Sequence, residues 1–281
     1  MKINVYITNP LADSVAHSSY WMLKFLEGLR QHGSDEIVVG KRGELDLECD
    51  LSIIWGVLYD EVMEYHKANN TNFLVVERGY TPNRSEWCMA GFNGLNGLAN
   101  FCNKNMPSDR WDKYHNGTLY LPNPAGEYVL ILGQVKGDTA LYGVDIDVWA
   151  MDTKAYFDDL GIPCIFRPHP GTSKTLFEDS MPDLQEQIDK AYCVITYSSS
   201  GGVEALLRGK PTIALHKGSM IWDIASHALE DHSKGFVPER QQWANDFAYT
   251  QWKLEEFASG ETWEHLKGYV NGSQINQSRN R

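Results

Sequence analysis

Apolar and polar residues alternate from Lys2 to Thr8, which predicts a first strand that Asn9-Pro10 ends. Between residues 18 and 31 the spacing changes. Tyr20, Leu23, Leu26 and Leu29 fall on one helical face, and His32-Gly33 closes that helix. Short apolar runs at Ile37-Val38-Val39 and Leu51-Ser52-Ile53-Ile54-Trp55 predict a second and a third strand, the latter ending at Gly56. A helix over 59–69 then leads to a fourth strand, Phe73-Leu74-Val75-Val76, which ends at Glu77. This β-α-β rhythm predicts a parallel sheet with right-handed crossovers.

Residues 78–126 keep no period. They are rich in Gly, Asn, Pro and aromatic residues, among them Tyr80, Trp87, Phe92, Phe101, Trp111 and Tyr114. Such a stretch is expected to be an ordered crossing and active-site loop region, because its aromatic content argues against disorder. The strand pattern resumes at Tyr128–Leu132, followed by a helix near 148–160 and the strand Cys164–Arg167. A short helix at 183–190, a strand at 192–196, a helix at 203–208 and a strand at 212–215 complete a second β/α set. The expected fold class is α/β, with two facing Rossmann-like β/α domains. The boundaries expected are 1–126, 127–240 and a C-terminal helical segment, 241–281, packing back on the first domain. In that segment Trp243, Phe247, Trp252, Phe257 and Trp263 recur at spacings that suit buried helix faces. Residues 271–281 are polar and expected to fray.

Composition narrows the class. The 281 residues carry a formal charge of −12, so no global field draws the chain to nucleic acid, although a local basic patch remains compatible with that total. The five cysteines, Cys49, Cys88, Cys102, Cys164 and Cys193, have irregular spacing and no Cys-x-x-Cys pair, which argues against a disulfide framework or a zinc site. No apolar run approaches the roughly 18–20 residues that span a bilayer. The start reads as a strand rather than a signal peptide, so the expected location is the cytoplasm, with no membrane partner.

Three candidate ligand signals fall at successive strand ends of the second half. After the first strand comes Gly133-Gln134-Val-Lys-Gly-Asp138. After the second comes Arg167-Pro-His169-Pro. After the third comes Ser198-Ser199-Ser200-Gly201-Gly202-Val-Glu204, opening a helix. Glycines let a phosphate approach backbone N–H groups, hydroxyls add donors, and arginine offers a planar fork of constant charge. Glu204 stands one turn into the helix, where a carboxylate can accept from a ribose diol. A plain structural role is open for each: serines capping a helix, Glu204 complementing its dipole, Arg167 in a surface ion pair.

The combination Arg-Pro-His-Pro, then a strand, then Tyr-Ser-Ser-Ser-Gly-Gly-Val-Glu-Ala-Leu-Leu-Arg-Gly-Lys-Pro resembles the donor domain of GT-B glycosyltransferases. It is similar to the capsular-polysaccharide (Kdo-transferase-like) group and to short transferases carried by bacteriophages. The resemblance covers 128–215 well and the first half loosely. It implies that His169 and Ser198–Gly201 bind a nucleotide diphosphate, that Glu204 holds the ribose, and that Gln134 and Asp138 touch base or phosphate. The donor it implies is a nucleotide sugar, a UDP-sugar first.

Inverting transfer needs a general base near the acceptor hydroxyl. Glu77, at the end of the fourth strand, is the first candidate, with Asp13 and His17 as competitors in the loop after the first. Tyr80, Arg84, Asn93 in the Gly91–Gly97 segment and Arg110 are the expected acceptor contacts. The acceptor expected first is a hydroxymethylated pyrimidine in double-stranded DNA, met by a basic lip of Arg78, Arg84, Lys104, Arg110 and Lys113. A surface polysaccharide is the alternative, and a nucleotide-binding protein without catalysis is the rival class. Asp145-Ile-Asp147 has the form of a Mn²⁺ motif but precedes a helix, so it is expected to cap it, and no obligatory metal is expected.

Overall fold

The computed structural model describes residues 1–31, 35–81, 83–172 and 182–270. The expected helix closure at His32-Gly33 and the fraying of 271–281 lie outside the described residues. The chain divides into two compact units, Met1–Arg110 with Asn245–Arg281, and Trp111–Ala244. The divisions therefore fall at 110/111 and 244/245, where the sequence pattern pointed to 126/127 and 240/241.

Unit 1 holds a six-stranded sheet. Its parallel part contains β1 (Lys2–Tyr6), β2 (Glu36–Gly40), β3 (Leu51–Trp55) and β4 (Asn72–Arg78). Two strands that the pattern did not predict extend it: β5 (Trp87–Phe92) and β10 (Gln251–Lys253), in the order β10-β5-β4-β3-β1-β2. Both added pairings are antiparallel. The segment expected to be an ordered loop region therefore contributes a fully buried strand. The pattern hid it because β5 is covered on both faces, which removes the alternation that marks a strand.

The core of unit 1 forms between one sheet face and three helices. Ile3, Val5, Leu51, Ile53, Leu74 and Val76 meet Trp21, Phe25 and Leu29 of α1 (Ser18–Gln31). Phe257 of α8 (Leu254–Ser259) and Trp263 of α9 (Glu261–Lys267) complete it, edge-on to Phe25. A Cβ on Gly28 would lie 2.1 Å from the Phe257 carbonyl oxygen, so only glycine lets α1 and α8 approach this closely. Trp252, expected on a helix, lies in β10 instead. The other sheet face carries α2 (Asp60–Ala68), whose buried His66 bonds Thr71.

Three acceptor expectations meet a structural explanation here. Tyr80 is 7 % exposed, its N–H donates to Gln251 Oε1, and its hydroxyl lies within bonding distance of Asn96 Oδ1 and Met89 Sδ. Asn93 sits where β5 reaches the amino end of β4, accepting the Phe73 N–H and donating to Asn72 Oδ1. The antiparallel turn carries it away from the carboxyl edge that bears Glu77. Arg110 is 5 % exposed and paired bidentately with Glu256 at 2.5 and 3.0 Å. It also donates to the Ala248 and Gln251 carbonyls and lies 4.0 Å over the Trp252 ring. It ties the C-terminal segment into unit 1 and does not reach solvent. Arg84 lies in a 3₁₀ turn, and its side chain is outside the described residues.

Unit 2 is a four-stranded, wholly parallel sheet, β7-β6-β8-β9. Its strands are β6 (Tyr128–Leu132), β7 (Cys164–Arg167), β8 (Ala191–Thr196) and β9 (Thr212–Ala214). Val129, Ile131, Cys193 and Ile195 pack with Phe157 of α4 (Ile146–Asp159) on one face. Leu130, Leu132 and Val194 pack on the other with Ile188 of α5 (Leu184–Lys190) and Ala205 of α6 (Gly201–Leu207). The remaining helices are α3 (Asp109–His115) and α7 (Gln241–Phe247). Among the described residues no helix is long and apolar enough to cross a membrane.

Arg110→Ala is expected to cost about 3–5 kcal/mol of stability, because it strands the Glu256 carboxylate in the interior. Urea denaturation followed by tryptophan fluorescence measures this. A loss near zero would return Arg110 to the surface.

Candidate functional site

The carboxyl ends of β6, β7, β8 and β9 lie on one edge of unit 2. The chain runs from β6 out to β7 and then crosses to β8 on the other side, so the switch point lies between β6 and β8. Gln134 and Ser198 meet there. The Ser198 N–H donates to Gln134 Oε1 at 2.9 Å, the Gln134 amide donates to Ser198 Oγ at 3.1 Å, and that hydroxyl reaches the Ala140 carbonyl at 3.0 Å. Both side chains are buried. Expected to touch a ligand, they are engaged with each other, and they fix the loop after β6 to the loop after β8.

Other expected donor residues also have internal tasks. The Gly133 N–H continues the ladder to the Arg167 carbonyl at 2.8 Å. Asp138 caps a 3₁₀ turn by accepting the Ala140 N–H. Ser199 Oγ accepts from the Gly201 N–H, and Gly201 is buried. Ser200 precedes α6, makes no cap bond with its side chain and is half-buried. Asp145 caps α4, accepting from the Asp147 and Val148 N–H groups, and Lys136 bridges Asp145 and Asp147. Among the described residues no group of three or more His, Cys, Asp and Glu could hold a metal ion.

Arg167, His169 and Glu204 differ from these. Arg167 Nη1 donates to the Pro182 carbonyl at 2.6 Å and to Gln187 Oε1 at 2.5 Å. Both acceptors are neutral, so the surface ion pair considered for this residue is not formed among the described residues and its charge is not cancelled by a bonded carboxylate. Glu204 is half-buried on α6. Burial first, then the charge of Asp183, raises its pKa, while Arg208, Arg167 and a hydrogen bond from Gln185 oppose the rise. Burial lowers the pKa of Arg167, against Asp183 and Glu204. The two charges feel each other, yet no salt bridge closes between them among the described residues. His169 Nδ1 accepts the Gly171 N–H at 3.0 Å, so the neutral ring carries its proton on Nε2, as a donor.

In unit 1, Glu77 is the penultimate residue of β4, at the carboxyl edge, one residue short of the strand end Arg78. Its Oε1 accepts the Arg78 N–H at 2.7 Å, and Oε2 lies 3.2 Å from where a Gly56 Cβ would stand, beside the end of β3. Asp13 is exposed in the loop after β1. His17 caps α1: its Nδ1 accepts the Ser19 N–H at 3.0 Å. That bond engages the Nδ1 lone pair of His17, which leaves the carboxylates as the candidates in this unit without a cap role. Arg78 donates to the Ala16 carbonyl and lies over Trp21 and Trp55.

Sequence reasoning passed over Tyr142, Tyr197 and His216, whose rings cluster at the same edge of unit 2. The available signal was position, since Tyr197 directly follows the buried strand β8 and His216 lies two residues past β9.

No protein-family model matches the chain, and no curated protein matches it by sequence. Solved structures do. A Thermosulfurimonas dismutans KpsC, beta Kdo 2,4 transferase, superposes with a TM-score of 0.54 at 14% identity, covering 89% of this chain and 90% of that one. A KpsC, beta Kdo 2,7 transferase, from the same organism gives 0.48 at 13% identity, over 94% and 99%. A Methanocaldococcus jannaschii UDP-GlcNAc 2-epimerase in complex with UDP-GlcNAc and UDP gives 0.34 at 11%, over 96% and 100%. The fold is of the GT-B type, with two β/α units that each carry their own sheet.

Glu204 supplies a test through pH. An acid whose pKa is raised by folding binds its proton more tightly in the native state. Unit 2 should lose stability as pH rises from the ordinary glutamate value through the raised one. Glu204→Gln should flatten that slope in melting temperatures taken from pH 4 to 8. Parallel curves for the two proteins would mean that the carboxylate ionises without cost.

Proposed function

We propose that the chain is a glycosyltransferase that takes its donor, a nucleotide sugar, on the carboxyl edge of unit 2. The observation that carries this reading is Arg167 with Glu204. Two opposite charges stand partly desolvated near a sheet edge and form no ion pair among the described residues, an arrangement that costs stability unless a ligand uses both. A nucleoside diphosphate does so: its phosphates suit the guanidinium and the His169 Nε2–H, and its ribose diol suits the carboxylate. The half-buried hydroxyls of Ser199 and Ser200 lie on the loop between them. The GT-B fold agrees with this reading, as does the name of the Kdo transferase at TM-score 0.54. A UDP-sugar is the first donor to test.

For the chemistry we assign Glu77 the role of general base, with Asp13 as the second candidate. The acceptor hydroxyl would lose its proton to the carboxylate as its oxygen attacks the anomeric carbon. The bond to the diphosphate would break, with Arg167 and His169 stabilising the departing charge. No metal is required by this scheme.

For the acceptor, a saccharide hydroxyl now leads over hydroxymethylpyrimidine DNA. Of the expected basic lip, Arg110 is buried in its pair with Glu256 and Arg78 is tied to the Ala16 carbonyl at the surface, which leaves a weaker footing for a phosphate backbone. The non-catalytic reading predicts binding without turnover.

A thermal-shift screen over UDP-, CMP- and GDP-linked sugars tests the donor. A ligand at about 100 times its Kd should add roughly 2.7 kcal/mol. Glu204→Ala and His169→Ala should each weaken binding about 10- to 100-fold, as the loss of a charge-assisted hydrogen bond does. No shift with any of these sugars would overturn the donor reading. Glu77→Gln should slow transfer by about 10²–10⁴ with donor affinity unchanged. Transfer to hydroxymethylpyrimidine DNA that falls steeply with salt would restore the DNA reading.

A further inference from the structure

Arg167 is held unequally. A guanidinium carries five N–H donors in a planar fork. Both bonds that Arg167 makes among the described residues use one nitrogen: Nη1 donates to the Pro182 carbonyl at 2.6 Å and to Gln187 Oε1 at 2.5 Å. Nη1 is thereby fully engaged. The Nε–H and the Nη2–H groups bond nothing among the described residues, and these two nitrogens form the edge that meets two oxygens of one phosphate side by side. The place of Gln187 is fixed by the fold. It lies in α5 and is 9% exposed, its carbonyl accepts the hydroxyl of Tyr128 at the start of β6 at 3.1 Å, and the next residue, Ile188, packs in the core.

Carboxylates stand near enough to act on the same charge. Asp183 and Glu204 both favour the charged form of Arg167. Asp183 is turned to its own helix instead, accepting the Gln185 and Glu186 N–H groups at 2.8 and 3.3 Å. Glu204 takes a hydrogen bond from Gln185. Each member of the opposed pair is therefore met by an amide of α5, Arg167 by Gln187 and Glu204 by Gln185. An amide oxygen fixes the direction of a guanidinium and leaves its charge in place. A carboxylate would fix the direction and cancel the charge, and a closed ion pair has less to offer a ligand.

We propose that Gln187 is a positioning residue for the phosphates of the donor: it occupies Nη1 of Arg167 with a neutral acceptor and so turns the Nε–Nη2 edge, still charged, toward a phosphate group. This rests on the donor reading above. The charge of residue 187 then matters as much as its shape, since a glutamate would make the same bond and neutralise the cation that the phosphate needs.

The test measures UDP affinity and ligand-free melting temperature for wild type, Gln187→Met and Gln187→Glu, with CMP or GDP as the probe if the thermal-shift screen favours a sugar of that series. Methionine keeps the bulk and removes the acceptor, so UDP should bind about 5- to 10-fold more weakly. Glutamate keeps the shape and the acceptor, so the melting temperature at neutral pH should not fall below that of wild type. UDP should nevertheless bind at least about 10-fold more weakly to this variant. Its affinity should also decline less with added salt, because one cation of the site no longer answers to the phosphate. On an Arg167→Ala background, Gln187→Met should change UDP affinity by less than about twofold, since the glutamine acts through the arginine. Wild-type affinity in Gln187→Met, affinity that simply follows melting temperature in the two variants, or a loss on the Arg167→Ala background as large as on wild type would each overturn the assignment while the donor reading stands. Failure of wild type to bind UDP, CMP or GDP would overturn the donor reading and this assignment with it.

Discussion

Where β6 and β8 lie side by side, the chain leaves the sheet in two directions, and the backbone groups at their ends lose their ladder partners. The Gln134 amide fills that gap. It accepts the Ser198 N–H and donates to the Ser198 hydroxyl, which in turn holds the Ala140 carbonyl. Each bond contributes about 1 kcal/mol net, but leaving one of these buried groups unpaired would cost about 1–3 kcal/mol, so the set stands or falls together. The remainder of the edge is hung on it. The β8 loop carries Ser199 and Ser200 into α6, α6 carries Glu204, and the β6 loop carries Tyr142.

A second constraint repeats three times. His17, His169 and His216 each accept, through Nδ1, the backbone N–H two residues on. The turn fixes the ring and decides its chemistry, since the neutral imidazole then keeps its proton on Nε2. Such a ring has its Nδ1 engaged and its Nε2–H directed away from the turn. At the carboxyl edge of unit 1, Glu77 stands one residue before the end of β4, its carboxylate held by the Arg78 N–H.

Unit 1 shows how charge disappears from a surface that a sequence reader would populate with it. β5 and β10 turn what looked like a loop region into sheet. Arg110 then meets Glu256 across the chain and closes over Trp252. Its long stem and planar head suit an internal clamp as well as they suit a phosphate.

The strands of the parallel sheets, the helices between them, the strand-end placement of Arg167 and His169 and the place of Glu204 in the first turn of α6 were legible in the residues. Periodicity and turn chemistry act over a few positions, so they survive in one dimension. β5 was not legible, because a strand buried on both faces has no alternation. β10 was not either, because its three residues acquire meaning only beside β5. Nor could local pattern tell which polar side chains are engaged inside the protein. Arg110 finds Glu256 across 146 positions, and Gln134 finds Ser198 across 64. Whether a polar group faces a ligand or a distant part of its own chain is decided by what folding brings against it, and that proximity is a property of the tertiary structure alone.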